Sequence, residues 1–342
     1  MSRLSSLTLK TWWWLLPLLG ATLLLAMSTG AYPLSLQRVA QIIITWISQA
    51  DISDTDSSVL FSIRMPRVLF GALAGAVLAL GGVCMQALFR NPLADPGLMG
   101  LSSGSALAAA LVTLLASSFP VLSHPLTLPL AAFVGGLAVT GVVYTISNRD
   151  GRLRVDSMLL MGIAMNALCG ALLGLIMVMA DDTQLRSITF WSFGSLGRAT
   201  LPSTGLLTLS MMLPVWGIWK IRKAMNILLM GETDAMNLGV KVETLKLILV
   251  TSSCWMVALV VAQAGLIGFV GLVIPHISRL LFGSSHHQLV PSSLLLGAIF
   301  LPLVDTFCRT INAPAELPIG MMTALIGSPF FIFLLIRQRE NT

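Results

Sequence analysis

Apolar residues recur in runs near 20 residues along almost the whole chain, without the two-residue alternation of a half-buried strand. About 20 residues of helix cross a hydrocarbon core of roughly 30 Å, and lipid offers no partner to an unpaired backbone group. Continuous apolar runs therefore predict spanning helices rather than a barrel. Bounded by Pro, Gly and charge, ten helices are expected at approximately 12–30, 67–89, 98–119, 126–147, 157–180, 200–219, 245–264, 272–283, 289–311 and 318–336. The eighth is too short to span alone and follows a Gly-rich stretch, Gly265, Gly268 and Gly271, that ends at Pro275, so it is expected to dip in or run partway. The predicted fold class is an all-α polytopic membrane protein, a single domain over residues 1–342.

Two stretches break this pattern: Asn91-Pro-Leu-Ala-Asp-Pro-Gly97 after the second helix and Ile311-Asn-Ala-Pro-Ala-Glu-Leu-Pro318 before the tenth. Interrupted segments in two halves point toward a transport pathway, although each also reads as an ordinary tight loop. Composition agrees with the bilayer as solvent. Of the 342 residues, 56% are hydrophobic and 10% charged, against roughly 25% charged in a soluble domain.

The net charge of +6 does not suggest nucleic acid, because the basic residues are scattered through short loops. With the N-terminus inside, Arg3, Lys10, Arg90, Arg149, Arg152, Arg154, Lys220, Arg222, Lys223, Lys241, Lys246, Arg279, Arg337 and Arg339 fall on the cytoplasmic side. Arg38, Arg64, Arg67, Arg186, Arg198 and Arg309 fall outside, completing the 20 Lys and Arg. This positive-inside bias places both termini in the cytoplasm. Arg3 and Lys10 ahead of Trp12–Met27 look like a signal peptide, but the three tryptophans suit an interfacial anchor and no clean A-x-A site follows. A retained first helix is expected. Cys84, Cys169, Cys254 and Cys308 lie within apolar segments without C-x-x-C spacing and read as packing residues.

No catalytic constellation stands out. The chain has no G-x-x-x-x-G-K-[ST], no H-E-x-x-H and no G-x-S-x-G, so an uphill flux would draw on an ion gradient or on another protein. Asp305 is the main ionisable candidate inside the helices, with Arg309 one turn later. The pair reads either as an ion site or as a structural pair near the outer surface, and the structural reading is preferred. His124, His286 and His287 fall in loops and imply no metal site. The segment Lys220–Lys246 is basic at both ends, and its centre, Leu228–Val240, predicts a short amphipathic helix. Leu228, Met230, Ala235 and Leu238 offer apolar contacts, and Gly239 can take the positive φ that ends it. Such a helix suits a partner that pushes on the membrane part, and equally a surface helix lying on lipid.

The runs Arg64-Met-Pro-Arg67, Met85-Gln-Ala-Leu-Phe-Arg-Asn-Pro-Leu-Ala-Asp-Pro-Gly-Leu-Met-Gly100, Gly231-Glu-x-x-Ala-x-x-Leu-Gly239, Gly268-Phe-Val-Gly-Leu-Val-Ile-Pro-His276 and Glu316-Leu-Pro-Ile-Gly320 resemble the FecCD/BtuC-type permeases. These are membrane subunits of type II ABC importers for cobalamin, ferric siderophores and haem. The resemblance runs from about residue 60 to the C-terminus and is greatest to bacterial haem permeases. It implies a homodimer in the bacterial inner membrane, two ATPase subunits beneath it and a periplasmic binding protein above. Haem or another iron chelate would be the substrate, with no cofactor bound permanently. It also implies that Arg64, Arg67 and Arg309 grip the binding protein, and that Gly231, Glu232, Ala235, Leu238 and Gly239 couple to the ATPase. Asn91, Pro92 and Leu93 would form the cytoplasmic gate. Met161, Met165 and Leu168 on the fifth helix would line a pathway between the two copies.

Overall fold

A computed structural model describes residues 2–48, 54–313 and 315–340. In chain order its helices are α1 (Ser2–Ser28), α2 (Leu36–Ile47), α3 (Thr55–Ser58), α4 (Met65–Phe89), α5 (Leu101–Leu115), α6 (Thr127–Ser147), α7 (Val155–Met179), α8 (Asp182–Ser192), α9 (Leu201–Leu228), α10 (Glu232–Asn237), α11 (Val242–Ala264), α12 (Val270–Phe282), α13 (His286–Thr310) and α14 (Ile319–Glu340). One π turn, Val59–Arg64, joins α3 to α4 without a break. All ten expected helices form, and among the described residues six are long and apolar enough to cross a membrane. This is an all-α polytopic membrane fold.

The architecture is organised around α4. Its apolar stretch has a mean hydropathy of 2.3 and is 89% buried, encircled by α1, α9, α11, α12 and α13. A helix apolar all round is compatible with such a central position. Glycine makes the closest approaches possible: a Cβ on Gly75 would strike the carbonyl of Gly297 in α13, and one on Gly82 would strike the carbonyl of Gly271 in α12. Lipid tails are as apolar as Leu, so helices associate here through close packing rather than through a hydrophobic driving force. The α1 helix joins by setting Leu19 and Leu23 against Ala72, Ala76 and Ala298.

Interior prolines leave carbonyls four residues upstream without helical donors, and at two of them a side chain of a neighbouring helix takes the donor's place. Pro214 frees the Ser210 carbonyl, which accepts from Trp255 Nε1 at 3.2 Å. Pro275 frees the Gly271 carbonyl, which lies 3.5 Å from Gln86 Nε2, while Gln86 Oε1 accepts from Arg279 at 2.9 Å.

Three elements were not foreseen from periodicity. The first is α2, capped by Ser35 and packing Val39 and Ile42 on Leu34 and Leu60. The second is α8, opened by a capping box between Asp181 and Gln184. The third is a hairpin, Asn148–Arg149 with Arg152–Leu153, turning on Asp150 and Gly151, both at positive φ. The expected amphipathic segment after Leu228 does form a helix, α10, closed by Gly239 at φ 81. Expected helix ends shifted in several places: the first helix begins at Ser2, and the second runs back through the π turn and α3 to Thr55. The third helix starts at Leu101, because Pro96–Met99 forms a 3-10 turn ending at Gly100. The sixth continues to Leu228 through the helix-compatible run Lys220–Lys223.

Candidate functional site

At the end of the bundle where α4 begins, Arg64, Arg67 and Arg309 converge, all buried. Arg64 donates to the carbonyls of Met27 and Ser28 at 2.7 Å each and to that of Tyr32, clasping the C-terminal end of α1. Carbonyls at a helix C-terminus lack partners and carry partial negative charge, so a cation there satisfies both. Arg67 forms a fork with Asp305, at 2.8 Å from Nη2 and 3.0 Å from Nε, and meets Glu316 at 2.8 Å. Arg309 Nε lies 3.4 Å from Asp305, and its Nη2 reaches the Ala26 carbonyl. The hydrogen bond from Arg67 holds the Glu316 carboxyl below the usual carboxylate range. Two guanidinium groups thus lock Asp305 in place, as a structural ion pair would. Around them lies a partly open pocket of about 210 Å³, lined by Gly30, Tyr32, Ile63, the three arginines and Glu316.

At the opposite end, the five expected coupling residues separate by role. Ala235 is fully buried and, with Leu228, seats α10 on the bundle. Gly231, at φ 125, and Gly239 provide the turns that bracket it. Glu232 points inward to Lys246 Nζ at 2.7 Å. Leu238 alone among the five projects an apolar side chain outward, 60% exposed, flanked by Met230 and Met236. Leu228 and Ala235, expected as contacts for a partner, are anchors instead, because the apolar face of so short a helix is used up in seating it.

Lys246 is only 2% exposed. Its ammonium also meets Glu243 at 3.1 Å and the Leu153 carbonyl at 3.0 Å, while Glu243 accepts from the Leu153 amide at 2.8 Å. One cation therefore ties α10, α11 and the hairpin that leads into α7. Topology alone had marked this lysine only as a charge on the cytoplasmic side; Glu243 three residues earlier was the available signal of a pair.

The expected gate residues form a tight turn. Asn91 Oδ1 accepts from the Leu93 amide at 2.9 Å, and the Asn91 carbonyl accepts from Ala94. Asn166 of α7 then pins the segment, donating to the Gly97 carbonyl at 3.1 Å and accepting from Ser103 at 2.7 Å. Sequence reasoning passed over Asn166, whose signal was an amide in the apolar middle of a spanning run. The three expected pathway residues do not share one environment: Met161 and Met165 pack half-buried on the core, and Leu168 is exposed. The open face of α7 is carried by Leu160, Ile163, Leu168, Leu172 and Leu175. Among the described residues, no cluster of three His, Cys, Asp or Glu side chains could hold a metal, and the four cysteines are buried and free.

A many-helix membrane bundle with interrupted helices, a short seated helix at one end and an arginine-lined pocket at the other is the architecture of a membrane transport protein. Residues 18–337 match the model of the FecCD transport family. The chain belongs to that family and is a permease of the ABC transporter kind. It is 45% identical over 282 residues to the hemin transport system permease protein HmuU of Yersinia pestis, covering 82% of this chain and 84% of that one. It is 39% identical over 295 residues to the vitamin B12 import system permease protein BtuC of Salmonella arizonae, covering 86% and 88%. A solved metal-chelate type ABC transporter in an inward-facing conformation superimposes with a TM-score of 0.83 at 32% identity, covering 96% of this chain and 99% of that one.

Proposed function

We propose that the chain is one half of a homodimeric permease in the bacterial inner membrane, passing haem from a periplasmic binding protein to the cytoplasm while two separate ATPase subunits supply the energy. The observation that carries the haem reading is the 45% identity to a hemin permease over most of both chains. The 39% identity to a vitamin B12 permease keeps cobalamin, and with it ferric siderophores, as the second reading for the same machinery.

The geometry supports a division into landing platform, passage and handle. With both termini in the cytoplasm, the arginine pocket faces the periplasm. Its guanidinium groups are already oriented by Asp305 and backbone carbonyls, so an acidic side chain of the binding protein would meet preformed donors. Leu238 with Met230 and Met236 forms the exposed apolar knob for the ATPase, and Lys246 carries its displacement toward α7 and the Asn91–Leu93 turn. Leu168 lies on the exposed α7 face that would line the passage between two copies, with Met161 and Met165 behind it. An ion-driven carrier built on Asp305 fits poorly, because its carboxylate is already taken up by ion pairs with Arg67 and Arg309.

The decisive measurement is uptake into proteoliposomes holding the chain, its ATPase and ATP, with binding protein outside. Haem is expected to accumulate at least tenfold faster than a ferric siderophore or cobalamin. Preference for either of those would replace the haem assignment, and accumulation against a gradient without the ATPase would overturn the ABC mechanism.

A further inference from the structure

Between α9 and α11 a groove of about 620 Å³ opens on the outer wall of the bundle. Pro214 and Gly217 on α9 face Ile248, Thr251, Ser252 and Trp255 on α11. The groove exists because small side chains meet across it and the Pro214 backbone break is bridged by Trp255 rather than by helix-on-helix packing. A Cβ on Gly217 would meet nothing within 4 Å. The exposed rims, Leu209, Leu213 and Trp216, are apolar, as an acyl chain requires.

One turn beyond the groove stands a cluster of charge. Lys220 Nζ sits 5.4 Å from the centroid of the Trp216 ring, the same ring that forms one wall of the groove. The Arg222 guanidinium stacks 3.5 Å over Trp219 and donates to its carbonyl at 2.8 Å. Lys223 follows. Among the described residues, none of these three cations has a carboxylate within 4.0 Å. The sequence holds no acidic residue between Asp182 and Glu232. Tryptophan and basic residues at a helix end mark the headgroup level of a bilayer, where anionic lipid attracts such clusters.

We propose that this groove is a binding site for one anionic glycerophospholipid, an acyl chain lying along Gly217 and Ser252 and the phosphate held by Lys220 with Lys223, its neighbour three residues on along the same helix. Continuity between the apolar slot and the uncompensated cations distinguishes it from lipid-facing surface elsewhere: the ring that walls the slot also carries the ammonium. The same helix runs on to Leu228 and turns directly into α10.

The test is native mass spectrometry of the full chain released from detergent after incubation with phosphatidylglycerol or with phosphatidylcholine of the same chains. Wild type is expected to retain one phosphatidylglycerol with at least a tenfold preference. Gly217→Leu fills the slot and is expected to lower that retention at least fivefold. Lys220→Gln with Lys223→Gln is expected to erase the headgroup preference while keeping the melting temperature in lipid-free detergent, which serves as the folding control. Equal retention of both lipids by wild type overturns the site, as does unchanged retention in the charge variant. Unchanged lipid retention together with loss of the ATPase from the charge variant would assign the cations to a protein contact and overturn the site as well.

Discussion

Lys246 shows what one side chain can hold together in a membrane protein. A charged group this deeply buried persists only when paired, and it has two carboxylates and a carbonyl within 3.1 Å. Removing one partner of a fully buried pair costs about 3–5 kcal/mol; because Glu232 and Glu243 keep contact with solvent, Lys246→Met is expected to cost ~2 kcal/mol. The measurable outcomes are a lower melting temperature in detergent and, in the assembled complex, ATP hydrolysis that persists while uptake falls. Retained uptake per ATP in that variant would remove Lys246 from the coupling route. The arginines at the other end make the complementary point. Arg64, Arg67 and Arg309 were legible as a set through motif resemblance, and Asp305 with Arg309 as a pair one turn apart, but their burial, the bonds from Arg67 to Asp305 and Glu316, and those to the α1 carbonyls depend on contacts up to 283 residues apart. Pattern along the chain carries no information on such distances.

Among the elements, the ten apolar helices were readable because length and apolarity are local properties. The central crossing of α4 and α13 was not. It rests on Gly75 against Gly297, where each backbone occupies the space a side chain would need. Overpacking a tight core costs about 1–3 kcal/mol, and backbone cannot rotate aside, so Gly75→Leu is expected at the upper end, ~3 kcal/mol, or to abolish folding. Size-exclusion profile and melting temperature read it out. Gly205→Ala on α9, where an added Cβ meets open space, is the matched control and is expected to be neutral or slightly stabilising. Equal damage from both would mean that glycine acts through helix flexibility rather than through close approach. The overlooked α2 and α8 carried cap signatures at Ser35 and at Asp181 with Gln184, but both helices are short and only partly apolar, so a search for spanning runs passes over them.

For the whole molecule, the exposed knob at α10 is the surface that the proposed ATPase contact would cover. Methionine and leucine side chains more than half exposed at a polar end contribute nothing to folding there. Leu238→Glu is expected to leave the melting temperature of the isolated chain unchanged and to weaken ATPase binding at least 30-fold, the effect of losing one central apolar anchor worth about 2 kcal/mol. Co-purification and a titration with the ATPase measure it. Wild-type affinity would remove α10 as the handle.

The sequence by itself determined that this chain lives in a bilayer, that it crosses as helices, which family it belongs to, and where its interruptions and the short helix after Leu228 fall. Those properties follow from local apolarity and from motifs that survive in order. It did not determine which helices form the centre. The helix Thr55–Phe89 and the helix Val155–Met179 have nearly the same mean hydropathy, 2.3 and 2.2, yet 89% of one apolar stretch is buried and 17% of the other. In water, burial would follow hydrophobicity; in lipid, core and surface are equally apolar, so position is decided by which small residues find each other and which charges close across the bundle. Only the tertiary structure makes those pairings.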